Sequence, residues 1–115
     1  MAGFWKTVTG TDFPIEGAED KTIIAAQGAG TVIRVQKVFI GVVVAGTGNT
    51  AHVALEDGAG GAKFVDINAD AVGSYFIDFG DVGYPLTANT LLNATVDQAG
   101  TNQASARVTV IARVS

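Results

Sequence analysis

The stretch from Thr31 to Asp57, TVIRVQKVFIGVVVAGTGNTAHVALED, constrains the fold more than any other part of the chain. Val, Ile and Phe crowd its first half, and such side chains suit a pleated, half-buried surface. Its polar residues do not recur at helical spacing. Ile33 and Val35 alternate with Arg34 and Gln36; the phase then slips, and Val38, Ile40, Val42 and Val44 continue on even positions. A single shift in a period-2 pattern predicts a β-bulge, or a break into two strands, near Gln36-Lys37. Gly46-Thr47-Gly48-Asn49 reads as a turn and His52 to Glu56 as a returning strand, which makes the stretch a long hairpin with one bent arm. The even positions from Val38 to Val44 are expected to hold two sheets together.

The same alternation recurs along the chain. Leu92, Ala94 and Val96 alternate with Asn93, Thr95 and Asp97. Ala104, Ala106, Val108, Val110, Ala112 and Val114 alternate with polar residues, and only Ile111 spoils the polar face. Tyr75, Ile77 and Phe79 oppose Ser74, Phe76 and Asp78, and Val65 and Ile67 flank Asp66. Asp57-Gly58-Ala59-Gly60-Gly61 is a turn, because glycine readily supplies the positive φ that tight turns need. Residues 1–20 are the least regular: Phe4 to Thr9 is a possible short strand, broken by Gly10-Thr11-Asp12 and Pro14, and Glu16 to Asp20 is an acidic loop. About eight short strands with turn signals and no long amphipathic helical window indicate an all-β chain, an antiparallel β-sandwich or barrel. The division expected is an N-terminal arm or irregular segment over 1–20 and a β-sandwich domain over 21–115.

Composition narrows the partners. Among 115 residues there are 15 glycines, and charged residues make up 16%, below the roughly 25% of an average globular protein. A weakly charged exterior of small side chains suits a tightly packed assembly and equally a plain, stable β-sandwich. Net charge is −4, and the seven basic residues are scattered along the sequence, so no nucleic acid is expected as a partner. The chain has no cysteine, which excludes a disulfide scaffold and a thiolate metal site. No signal peptide is apparent at MAGFWKTVTG, and Val38 to Ala45 is too short to span a bilayer as a helix, so no membrane is expected either.

Chemical motifs are weak. Gly46-Thr47-Gly48-Asn49-Thr50-Ala51 matches a loose dinucleotide fingerprint, but a strand rather than a helix is expected to follow. Gly58 to Lys63 resembles a phosphate loop without the Gly-Lys-Ser/Thr ending. His52, the only histidine, sits on the polar phase of a strand with no nucleophile motif nearby. Asp57, Asp66, Asp70, Asp78 and Asp81 lack the spacing of a calcium loop and suit turns. No catalytic residue, cofactor or metal is assigned, and the chain is not expected to be an enzyme. Phe4 and Trp5 are two large aromatics in a short N-terminal segment; they read either as core packing or as an anchor on a neighbouring subunit, since aromatics dominate interface energetics. With Lys6 and Phe13 they are the candidate partner-contacting residues.

The second half carries a resemblance. Val53-Ala-Leu-Glu-Asp-Gly, Phe64-Val-Asp-Ile-Asn, Tyr75-Phe-Ile-Asp-Phe-Gly and Gly83-Tyr-Pro-Leu-Thr-Ala-Asn-Thr-Leu-Leu-Asn-Ala-Thr-Val together resemble a small virion protein of tailed bacteriophages, over roughly residues 31–114. The resemblance implies a jelly-roll-like sandwich that decorates or cements a capsid. It implies the major capsid protein as partner, a homo-oligomer with a homotrimer favoured, and a place on the capsid surface of the virion after synthesis in the host cytoplasm. It brings no catalytic residues. The alternative expectation is a non-catalytic carbohydrate-binding sandwich of a tail fibre or a secreted lectin.

Overall fold

A computed structural model describes residues 6–16, 19–45, 52–69, 71–97 and 105–115. They form nine strands: β1 Lys6–Glu16, β2 Glu19–Ile24, β3 Ile33–Val44, β4 His52–Asp57, β5 Ala62–Asn68, β6 Gly73–Asp78, β7 Tyr84–Pro85, β8 Leu92–Asp97 and β9 Ser105–Val114. Two antiparallel sheets result, one ordered β1-β9-β3-β6 with β7 also on β3, the other β2-β8-β4-β5. We refer to them as the first and second sheets.

The order follows from one folded ribbon. The turn between β4 and β5 is its tip, and the two halves of the chain pair back from it as β4 with β5, β3 with β6, β2 with β8 and β1 with β9. Wrapping that ribbon on itself adds the ladders β3 with β9 and β4 with β8. This is the jelly-roll arrangement of an antiparallel sandwich, as expected. At the tip, Gly61 N donates to Gly58 O at 2.9 Å, and Gly58 and Gly60 hold φ of 82° and 73°. Only glycine adopts that backbone without cost.

The hairpin expected over Thr31–Asp57 is not formed. β3 pairs with β6, β7 and β9, β4 pairs with β5 and β8, and the two strands lie in different sheets. Both present apolar side chains to the same core: Val35, Val38, Ile40, Val53 and Leu55 are each at most 1% exposed. Alternation reads the same whether a neighbouring strand lies beside its predecessor or across the core from it. The phase slip is a bulge: the register with β9 shifts between Val35 and Lys37, so that Val35 and Val38 both point inward. The bulged residue, Gln36, is buried and gives the bulge a second use. Its Nε2 donates to Asp81 O and its carbonyl accepts from Phe79 N, each at 2.7 Å, which fastens the 79–83 loop. The even phase ends early, since a further shift after Val42 leaves Val44 exposed.

Residues 6–16 also depart from expectation. The expectation is an arm or irregular segment with a short strand up to Thr9; residues 6–16 form a strand of 11 residues along β9. The supposed breakers are tolerated because β1 ends its sheet. Pro14 lies where the register with β9 shifts, and an edge or bulge position spares a proline from breaking a ladder. A Cβ on Gly10 would stand 2.5 Å from Ile23 O, so glycine lets β1 close against β2. The opposite flank is closed by aromatics. Phe64 of β5 stacks on Tyr84 of β7, with centroids 4.4 Å apart and planes 4° apart, and Phe79 abuts both.

Candidate binding surface

Register assigns each side chain to a face. On the outer side of the first sheet lie Arg34 and Lys37 of β3, Arg107 and Arg113 of β9, and Asp78 of β6. Four of the seven basic residues scattered in sequence thus share one face, against one described carboxylate. The outer side of the second sheet carries Asp20, Glu56 and Asp66 with Lys63 and His52. Among the described side chains, basic groups prevail on the outer face of the first sheet and acidic groups on that of the second.

The cationic face also holds exposed aromatics. Phe39 and Phe76 are directly opposite on β3 and β6, with ring centroids 4.9 Å apart and a tilt of 37°; they are 42% and 57% exposed. They border a groove of about 330 Å³ lined by Gly41, Ser74, Tyr75, Arg107 and Thr109 as well. Gly41 forms its floor, and a Cβ there would meet nothing within 4 Å. Val43, Val44 and Val72 are exposed beyond it where β3 and β6 end. Large apolar side chains grouped on a polar-rimmed sheet face mark an interaction surface. Aromatic residues and arginine are the types enriched where proteins meet.

Of the four residues singled out at the N-terminus, only Lys6 and the backbone of Phe13 are among the described residues. Phe4 and Trp5 lie outside the described residues. Lys6 is opposite Val114, at the far end of β9 from the groove, and is exposed. Phe13 falls between the pairs Asp12–Val108 and Ile15–Ala106, which brings its backbone level with Arg107. The residues that sequence reasoning missed are Phe39 and Phe76. Their signal was present: each is a large aromatic on the solvent phase of an alternating strand. Their meeting is a register fact that no local pattern contains.

The other motifs resolve into structural parts. Residues 46–51 and Asp70 lie outside the described residues, and strand β4 follows the former. Residues 58–63 are the β4–β5 turn and the start of β5. His52 Nδ1 lies 3.0 Å from Asp66 Oδ1, an exposed contact on the second sheet's outer face. Asp57 accepts from Thr87 N at 3.0 Å through both oxygens and from Thr87 Oγ1 at 2.7 Å through Oδ2. Asp78 Oδ1 accepts from Gly80 N at 2.8 Å. These aspartates pin turns and loops. Among the described residues no three His, Cys, Asp or Glu side chains are grouped to hold a metal, and no helix is long and apolar enough to cross a membrane.

No protein-family model matches the chain, and no curated protein matches it.

Proposed function

We propose that the protein is a structural virion protein that decorates and stabilises a bacteriophage capsid through protein–protein contacts, as a homo-oligomer. The observation that carries this reading is the aromatic and cationic outer face of the first sheet, a presented surface on a rigid sandwich. The resemblance of residues 31–114 to tailed-phage virion proteins supplies the capsid as the partner. The mechanism is mass action: a protein that binds only the assembled shell stabilises each site by about 2.7 kcal/mol at a concentration of 100 times its Kd. A recombinant protein added to particles lacking it is expected to co-sediment with them and raise their thermal stability. Phe39→Ser with Phe76→Ser is expected to abolish co-sedimentation while leaving the β-sheet circular dichroism unchanged. Absence of the protein from purified particles by mass spectrometry overturns the reading.

A second reading is a carbohydrate-binding module. The groove favours it, because Phe39 and Phe76 flank a glycine floor beside Ser74, Thr109 and Arg107, a stacking platform ringed by hydrogen-bonding groups. A glycan array separates the two: saccharide binding lost in Phe76→Ser supports the module, and no binding removes it.

A further inference from the structure

The two sheets have five open-sided strands, since β6 and the two-residue β7 share one side of β3, and four of them are guarded, β7 by Pro85. Edges invite pairing with other chains, and natural proteins blunt them with proline, lysine or a bulge. β1 carries Pro14, Lys6 and a register shift; β2 carries Lys21 and a register shift; β5 carries Lys63 and a register shift against β4. β6 carries none of these. Its sequence is GSYFID, and its ladder to β3 runs from Lys37–Asp78 to Val42–Gly73 without a shift. Both its aromatics, Tyr75 and Phe76, are exposed, at 36% and 57%.

We infer that β6 is an assembly edge, and that its occupant is β6 of a second copy, paired antiparallel about a twofold axis. The strand is self-complementary. In an antiparallel ladder, directly opposite residues share a face. An axis through Phe76 therefore sets the two Phe76 side by side and places Asp78 of each chain opposite Ser74 of the other, a carboxylate against a hydroxyl. The strand's only charge sits at its end, so the axis keeps the two carboxylates apart. The pairing joins the first sheets of two sandwiches into one continuous sheet. It also merges the two Phe39–Phe76 pairs into one apolar strip, which adds side-chain burial to the backbone bonds. Such a contact is isologous and closes at two copies.

The inference stands independently of the virion reading. If it holds, a twofold contact replaces the threefold one that the resemblance implies. The chain lacks cysteine, so one introduced thiol can form a disulfide only with the same position in another copy. Phe76→Cys is expected to form a disulfide-linked dimer under mild oxidation at low protein concentration, well ahead of Val82→Cys, a more exposed site on the 79–83 loop. Light scattering on the unmodified chain is expected to give the mass of two copies. Phe76→Lys, which guards the edge, is expected to give the mass of one copy with an unchanged β-sheet circular dichroism spectrum and a melting temperature that no longer depends on protein concentration. A mass of one or three chains, or cross-linking no faster through residue 76 than through residue 82, overturns the inference.

Discussion

Asn93 donates from Nδ2 to Oε1 of Glu56 at 2.7 Å, and both residues are buried, 2% and 5% exposed, on the side of their sheet that faces away from the core. They are opposite one another on β8 and β4, the two central strands of the second sheet. A carboxylate so enclosed needs its donors. Its other donor is Gly60 N at 3.4 Å, a longer contact. Asn93→Ala is expected to cost about 1.5–3 kcal/mol, the range for a hydrogen bond to a charged group. Urea unfolding monitored by circular dichroism measures it, and a change below that range shows that Gly60 and solvent suffice.

Gly10 should tolerate no side chain. An added Cβ would meet Ile23 O and Ile23 Cγ2, each at 2.5 Å, and the first of these is backbone that cannot rotate away. Gly10→Ala is expected to lower stability by more than about 1–3 kcal/mol, the usual penalty of overpacking. Gly41→Ala, on the open floor of the groove, is expected to stay within about 0.5 kcal/mol. Equal melting temperatures for the two variants contradict the close approach of β1 and β2.

The two ends of β3 should respond differently to truncation. Ile40 is 1% exposed and Val44 is 51% exposed. Ile40→Ala is expected to cost about 2–5 kcal/mol through lost transfer energy and a residual cavity. Val44→Ala is expected to cost less than about 0.5 kcal/mol, as for other surface sites. Chemical denaturation of both variants checks whether the bulge after Val42 turns Val44 out of the core.

Asp57 should act as a loop clamp. Both its oxygens receive Thr87 N and one also receives the Thr87 hydroxyl, joining the end of β4 to a residue 30 positions away. Asp57→Ala is expected to cost about 1.5–3 kcal/mol. The Thr87 amide is expected to exchange its hydrogen faster in the variant, because its acceptor is gone. Unchanged exchange at Thr87 contradicts the clamp.

Much of the local structure was legible in the residues. The alternation over Leu92–Asp97 and Ser105–Val114 reappears as β8 and β9, with the expected apolar positions inside; Ala104 lies outside the described residues. The slip at Gln36-Lys37 reappears as a bulge, because a strand can keep both its apolar runs on the core side only by adding one residue between them. The glycines after Asp57 reappear as the ribbon's tip. Residues 6–16 misled for a physical reason: glycine and proline interrupt a central strand, and nothing local says that β1 is an edge.

Ala54, Glu56, Asn93 and Thr95 misled in the same way. Their phase reads as solvent-facing, yet each is at most 9% exposed, and Glu56 is held there by the Asn93 side chain opposite it on the neighbouring strand.

By itself the sequence determined the strands β3, β4, β5, β6, β8 and β9, the apolar face of each, where β3 bulges and where the ribbon turns between β4 and β5. Those properties depend on side chains a few positions apart, which alternation and glycine placement record directly. Only the tertiary structure decided which strands are neighbours. That choice put β3 and β4 in separate sheets, placed Phe39 against Phe76, collected Arg34, Lys37, Arg107 and Arg113 on one face, and left β6 as an unguarded edge. The reason is that a period-2 strand is equally content with any antiparallel partner that keeps its apolar side inward. The partner is chosen by closure of the whole core, a property of the entire chain.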